Sequence, residues 1–294
     1  MNKNAAIWGY AGVFPGEFRL WEGDEFTNKY AFMERHGFTC TALSLDSVRD
    51  PARFGFASDF VAKHDFHHTI GFACPYFTGS LDELTRTVKA FLEELARVKD
   101  PLGVVLVTTS CGPYHRFMRE PSLDFQLERL VRVLTPLAAG CLGMGLRLGI
   151  ENHCDYYLTD LIGLCNQVEG LGIFWDTGNG SMTGENPQDV SRIAAPHVVG
   201  THFKDFFCYP DEQELKLVVR GASLGDGDLG LEKIYRDLME WNPHPDSLVM
   251  EFELIPDQSM HPLESLERSK RFVERISGFP FRYPGTNPAE VLPS

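Results

Sequence analysis

Eight short apolar runs, most followed by a polar turn and then a segment of 3.6-residue periodicity, constrain this 294-residue chain more than any other feature. The runs cover 5–12, 38–44, 69–75, 104–111, 146–153, 172–177, 198–205 and 247–254. Several are apolar through their first half, as strands buried on both faces are. The helices between them are signposted. Ser80 with Glu83 forms a capping-box pattern ahead of a stripe of Leu81, Leu84, Val88, Leu92, Leu95 and Val98. A second stripe fills 125–140, Thr159 or Asp160 caps a helix over 161–168, and Asn186-Pro187 opens another. Helices over 231–241 and 262–276, the latter stopped by Gly278, complete the series.

Eight alternating units without an extra helical domain predict an α/β chain forming a single (β/α)8 TIM barrel over 1–278. An open doubly wound sheet is the alternative that alternation leaves standing. The connections at 13–37 and 45–66 are rich in Phe and Gly and only weakly periodic. Residues 206–224 read as an inserted loop after the seventh strand. The tail 279–294 carries four prolines and is expected to wrap the surface or a partner subunit, which is compatible with a homo-oligomer.

Acidic residues outnumber basic ones by 41 to 27, giving a net charge of −14, so nonspecific nucleic-acid or anionic-membrane binding is not expected. No stretch approaches the ~18 uncharged apolar residues that a membrane span needs. The seven cysteines are scattered, with no CxxC spacing, which predicts free thiols in a reducing, cytoplasmic compartment.

The informative chemistry stands where the last four runs stop: Glu151 in LRLGIENH, Asp176 in GIFWDTGN, His202 in VVGTHFKD and Glu251 in SLVMEFEL. The spacings are 25, 26 and 49 residues, one βα unit each for the first two and one unit plus the insert for the third. In a barrel, the C-terminal ends of successive strands converge on one mouth. Three carboxylates gathered there would raise one another's pKa unless a cation neutralised them. Two glutamates, an aspartate and an imidazole suit one divalent ion, Mn²⁺ first, then Mg²⁺, Co²⁺ or Zn²⁺.

These motifs, IENH, WDTGN, THFKD, GDGDLG and VMEFE in that order over ~145–255, resemble those of the xylose isomerase-like TIM barrels, the sugar phosphate isomerase/epimerase superfamily. The resemblance implies that Glu151, Asp176, His202 and Glu251 bind one metal and that the two glutamates double as acid/base groups. It implies an isomerase or epimerase working on a small carbohydrate-like substrate by α-proton abstraction through a metal-stabilised enediolate. The alternative within the superfamily is a dehydratase or lyase, which begins identically and ends with loss of a β-leaving group. Epimerases of this kind commonly carry His three residues after the aspartate, where this chain has Asn179. An amide orients a hydroxyl but cannot shuttle a proton, which favours the lyase branch. The three-metal endonuclease branch needs additional histidines that find no place here.

Strand alternation sends His153 to the same side as Glu151, and Lys204 to that of His202. His153 is thus a candidate acid/base group, and Lys204 a candidate substrate contact. Trp8 on the first strand, His115 in SCGPYHR, Asn179 and Arg220 in the insert complete the candidate substrate-binding set; Arg220 would clamp a carboxylate or phosphate. The stretch 225–230, GDGDLG, also fits G-x-G-x-x-G, but its two aspartates would confront a pyrophosphate and too little chain follows for a dinucleotide domain. It is expected to be a tight turn with capping aspartates. The non-enzyme rival is a barrel retained as a binding module, and the presence of all four candidate ligands tells against it.

Overall fold

The computed structural model describes residues 7–12, 24–211, 213–214, 216–255 and 260–284. Eight parallel strands close a barrel: β1 (Ile7–Tyr10), β2 (Cys40–Leu43), β3 (His67–Phe72), β4 (Val104–Ser110), β5 (Arg147–Glu151), β6 (Leu171–Asp176), β7 (Val198–Phe203) and β10 (Val249–Phe252), the last pairing with β1. The closed order excludes the open doubly wound sheet. β8 (Asp205–Asp211) and β9 (Lys216–Ala222) form an antiparallel hairpin after β7, so the expected inserted loop is a β-ribbon.

The helices of the described residues are α1 (Glu25–His36), α2 (Pro51–His64), α3 (Leu81–Val98), α4 (Leu123–Gly143), α5 (Leu158–Cys165), α6 (Asn179–Thr183), α7 (Pro187–Ala194), α8 (Leu231–Trp241) and α9 (Pro262–Ser277). The two weakly periodic connections hold α1 and α2. Their aspartate caps replace the missing stripe as a signal: Asp24 accepts from Thr27 N at 2.8 Å and Asp50 from Ala52 N at 2.9 Å. The capping box at Ser80 and Glu83 forms as expected. α5 begins at Leu158, earlier than its sequence predicts. Asp160 reaches back to Tyr157 N at 3.0 Å, and Glu185, from the next βα unit, accepts from Leu158 N at 3.1 Å. The second of these caps lies far away in sequence, which is why local reading misses it.

Alternation splits the core into two layers. Outward residues of the strands pack on the helices, whereas Cys40, Leu106, Phe174 and Val249 fill the barrel interior. Phe174 takes the centre because its neighbours give way. A Cβ on Gly149 would lie 2.9 Å from Phe174 Cβ, and one on Gly200 would lie 2.8 Å from Phe174 Cδ2. That ring meets His202 edge-on, centroids 4.8 Å apart at 88°, directly beneath the mouth. At the opposite end, Phe279 and Phe281 of the tail pack under β1. The rest of the proline-rich tail, from residue 285, lies outside the described residues.

Candidate metal centre

Register brings the predicted strand ends level. Glu251 pairs with His202, His202 with Asp176, and Phe174 with Glu151. Glu151, Asp176 and His202 each offer a ligand atom, and these atoms all lie within 4.8 Å of one another. His202 is the hub. Its Nδ1 is 3.1 Å from Glu151 Oε1 and 3.9 Å from Asp176 Oδ2, and its Nε2 is 3.4 Å from Glu251 Oε2. The four residues singled out in the sequence therefore meet, with Glu251 across the imidazole from the other two acids.

Two further groups complete the cluster. Lys204 Nζ lies 2.7 Å from both Asp176 Oδ2 and Glu253 Oε2, and Glu253 also stands 3.4 Å from His202 Nδ1. Glu253 went unnoticed in the sequence, although it stands two residues beyond Glu251 and so on the same side of the chain. Thr69 was missed as well; it donates to Glu251 Oε1 at 2.8 Å from β3. No local pattern marks a threonine whose partner is most of the chain away.

The surrounding backbone holds the acids in place. Asp176 Oδ1 accepts from Gly178 N at 2.9 Å and Asn179 N at 3.0 Å, leaving Oδ2 for the cluster. Asn152 clamps β5 to β6, accepting from Asp176 N at 2.8 Å and donating to Asp176 O at 3.0 Å. Thr177 Oγ1 receives Lys204 N at 2.9 Å and donates to Lys204 O at 2.7 Å.

Four carboxylates here face two cations, and the pKa values follow. Burial pulls His202 down, but hydrogen bonds to Glu151 and Glu251 and their charges win, leaving it well above the usual histidine range. Burial raises Asp176 to about 6 against the charges of Lys204 and His202. Lys204 is raised: its desolvation is outweighed by Asp176 and Glu253. Glu253 is lowered because His202 and Lys204 outweigh its own desolvation. A proton on His202 thus supplies charge that the acids demand. An oxygen/nitrogen donor set this compact fits one divalent ion, whose ligands sit about 2.0–2.2 Å away. Glu151, Asp176 and His202 would hold it, with Glu251 as the remaining candidate.

The other sequence candidates fare differently. His153 is exposed at the mouth, its N–H donating to Asp155 Oδ1 at 2.9 Å. Trp8 is a correction. Gly9 is the residue of β1 that faces Glu251, so Trp8 points outward into the helix layer, where Phe203, Tyr235, Phe252 and Phe281 enclose it at 1 % exposure. It is a core residue. Asn179 is buried and donates its amide to Asn152 O at 3.0 Å, so it pins two strand ends together beside the cluster. His115 is half-buried, its carbonyl accepting from Gln126 Nε2 at 3.3 Å and its ring 6.1 Å from that of Phe117. Arg220 is exposed on β9 over the Tyr209 ring at 5.4 Å.

The GDGDLG turn has a definite role. It wraps its amides around the carboxylate of Asp205: Gly225 N and Gly227 N donate to Oδ2 at 2.9 and 3.1 Å, and Leu229 N to Oδ1 at 3.3 Å. The anion in this nest is the chain's own Asp205, which a dinucleotide site would not have. The turn's aspartates do not cap α8 as expected: Gly230 is its N-cap without a side-chain bond, Asp228 Oδ2 accepts from Cys208 N at 2.8 Å and Asp226 lies 3.5 Å from Arg268.

Among the described residues no helix is long and apolar enough to cross a membrane. No curated protein matches the chain. Solved structures do. A D-tagatose 3-epimerase-like protein shares 15% identity, covers 92% of this chain and 98% of its own, and superposes with a TM-score of 0.66. A xylose isomerase-like TIM barrel protein from Mycobacterium smegmatis, in complex with magnesium, shares 14% over 86% of this chain and 87% of its own, at 0.64. A probable 3-DHS dehydratase, AsbF, from Bacillus anthracis shares 14% over 87% and 96%, at 0.62. At such identities these likenesses establish the fold. The family model described as xylose isomerase-like TIM barrel matches residues 4–274, and with it the chain belongs to that family.

Proposed function

We propose that this chain is a divalent-metal-dependent enzyme that isomerises or epimerises a small polyhydroxylated carbonyl compound by α-proton abstraction. The observation that carries the reading is the meeting of Glu151, Asp176 and His202 within 4.8 Å, with Glu251 on the far side of the imidazole. A divalent cation bound there supplies Lewis-acid stabilisation of the oxyanion that develops as the α-proton leaves.

The chain's own residues supply the rest. Glu151 and Glu251 flank His202 from opposite sides, so one carboxylate can take a proton from one face of a carbon and the other return it to the opposite face. Thr69 fixes the orientation of Glu251, and Lys204 keeps Asp176 and Glu253 ionised. The 15%-identical epimerase-like neighbour and the magnesium complex support this choice of chemistry and of a hard cation. All seven cysteines are free, which fits a reducing cytoplasm.

A dehydratase is the second reading. Asn179 stands where a shuttle histidine would, and His153 is exposed beside the mouth, where it could serve a leaving hydroxyl. Incubating the Mn²⁺-loaded protein with D-tagatose, L-ribulose and 3-dehydroshikimate in D₂O separates the two. Solvent deuterium retained on carbon with the formula otherwise unchanged supports isomerisation. Loss of one water from the mass supports dehydration, and no exchange with any ketose or cyclic enone tried under metal saturation refutes the proton-abstraction reading.

A further inference from the structure

The first two strands of the barrel part above a single registered pair, Gly9 with Cys40. Beyond it β1 leans toward β10, Ala11 N and Gly12 N both donating to Phe252 O at 2.8 and 3.1 Å. On β2 successive carbonyls point to opposite edges. Thr39 O accepts from His67 N on β3, so Cys40 O and Ala42 O face β1. Above that pair the buried Thr41 hydroxyl ties the seam by donating to Tyr10 O at 3.2 Å, and Lys29 of α1 reaches in beside it and donates to Ala42 O at 2.6 Å. An ammonium has three protons to give. Among the described residues, that carbonyl is its one hydrogen-bond acceptor.

Burial pulls the Lys29 pKa below the usual lysine range, and the charge of Glu251 is the strongest influence opposing it. Both oxygens of Glu251 are engaged elsewhere, Oε1 by Thr69 and Oε2 by His202. Among the described residues the ammonium and the carboxylate thus feel each other's charge without a hydrogen bond or ion pair between them. The inward positions on this side of the mouth include Gly9, Ala42, Thr69, whose hydroxyl is bonded to Glu251, and Gly71. Gly71 is exposed, and a Cβ added there would meet nothing within 4 Å. Among the described residues the β1–β3 strand ends therefore bring small residues, the Thr69 hydroxyl and a cation to the mouth, whereas the β5–β7 side carries Glu151, Asp176 and His202 and β10 carries Glu251.

We propose that Lys29 is a substrate-contact residue, its ammonium donating to an oxygen of the polyhydroxylated carbonyl compound on the β1–β3 side of the mouth, opposite Glu151, Asp176 and His202. This assignment rests on the function proposed above. As a carboxylate takes the α-proton, the C–H electron pair moves onto the carbonyl oxygen, and a charged donor beside that oxygen stabilises it more than the ground-state carbonyl. A lysine that merely plugged the seam would affect folding and leave ligand binding alone.

Glycolohydroxamate, a planar anionic mimic of an enediolate, is the probe, titrated into Mn²⁺-loaded protein. Lys29→Gln keeps a donor for Ala42 O and removes the charge. It is expected to weaken glycolohydroxamate by about tenfold or more, as loss of a charged hydrogen bond does, with Mn²⁺ affinity within about twofold of wild type. Lys29→Arg is expected to recover most of the loss. Unchanged glycolohydroxamate affinity in Lys29→Gln, or a loss matched by weaker Mn²⁺ binding, overturns the assignment while leaving the metal-dependent reading intact. Wild-type protein that takes up no Mn²⁺ refutes that reading and the assignment with it. A measurement on the wild type needs no variant: reductive methylation of the Lys29 amine, followed by peptide mass spectrometry, should slow severalfold when glycolohydroxamate joins Mn²⁺. Equal rates with and without the probe overturn the contact.

Discussion

At the mouth of the barrel, Lys204 lies 2.7 Å from both Asp176 and Glu253, and His202 stands among those acids and two more. At the floor, Lys270 of α9 is also buried, 2.6 Å from Glu267, 2.7 Å from Arg282 O and 3.2 Å from His36 Nδ1. The residue types match and the electrostatics are opposite. Lys204 and His202 are pushed up, because nearby carboxylates outweigh desolvation. Lys270 is pulled down by burial, and burial followed by the Lys270 charge takes His36 to about 3. The floor has one acid in contact with its lysine and a neutral imidazole, so its charges close upon themselves and tie the tail to α1. The mouth holds four acids against two cations and retains an appetite for a third. Excess charge of one sign, held rigidly in a buried place, distinguishes a binding site from a structural latch.

The sharpest way to break this contrast is His202→Ala. Removing the hub should lower divalent-metal affinity by at least about 100-fold, the upper end of what loss of even an outer partner costs, and abolish turnover with it. Metal content after gel filtration, read by mass spectrometry, checks this. A variant that keeps a full equivalent of metal removes His202 from the ligand set. Next in size is Glu251→Gln, isosteric and able to keep its partner Thr69. Turnover should fall by about 10²–10⁴, the usual worth of a positioned acid/base group, with a much smaller change in KM. An unaltered kcat would strike Glu251 from the proton-transfer role.

The floor offers a pH test whose sign follows from His36. In the unfolded chain this imidazole takes up a proton near pH 6.5, whereas in the folded protein it stays neutral down to about 3. The unfolded state therefore binds more protons between those limits, and the stability that neutral His36 provides, full above pH 6.5, is lost as the pH falls. Between pH 7 and pH 5 the loss is at most about 2 kcal/mol. His36→Phe, whose ring fits the packing against Phe32 at 4.5 Å, should flatten that acid limb in denaturant titrations. Metal content should not change. An acid limb as steep as in wild type would mean that His36 is protonated in the fold.

How much of this was legible in the chain follows physical range. Alternation of apolar runs and capped stripes announces the barrel because both are local, and four acid or imidazole strand ends announce the mouth because parallel register brings strand ends level. What escapes depends on contacts across the barrel or on which way a strand's odd and even residues face. Thr69 meets Glu251 from β3, Glu185 caps α5 from another unit, and Lys29 reaches a seam that only barrel closure opens. Trp8 misleads for the second reason. Gly9 takes the inward position on β1, and an aromatic next to it has only the outer layer to fill. Asn179 shows that an amide at a strand end also serves to pin backbone, as it does with Asn152.

Arg220 sharpens the contrast at its weakest point, the exposed rim. Its guanidinium rests over Tyr209 at 5.4 Å on the hairpin that follows β7, and an exposed pair of this kind contributes about 0.5–1 kcal/mol. Arg220→Ala should therefore leave metal content unchanged and lower stability by no more than that, because the residue belongs neither to the acid cluster nor to the packed floor. Substrate charge decides what else happens. A neutral ketose offers the guanidinium no anion, so KM should move by less than about twofold, whereas a phosphorylated ketose of the same skeleton would lose a charge-assisted bond and show a KM raised about tenfold. A rise confined to the phosphorylated compound assigns Arg220 to an anionic end of the substrate. Equal KM values for both compounds in wild type and variant confine recognition to the mouth itself, where the acids, Lys204 and Lys29 already account for the charge.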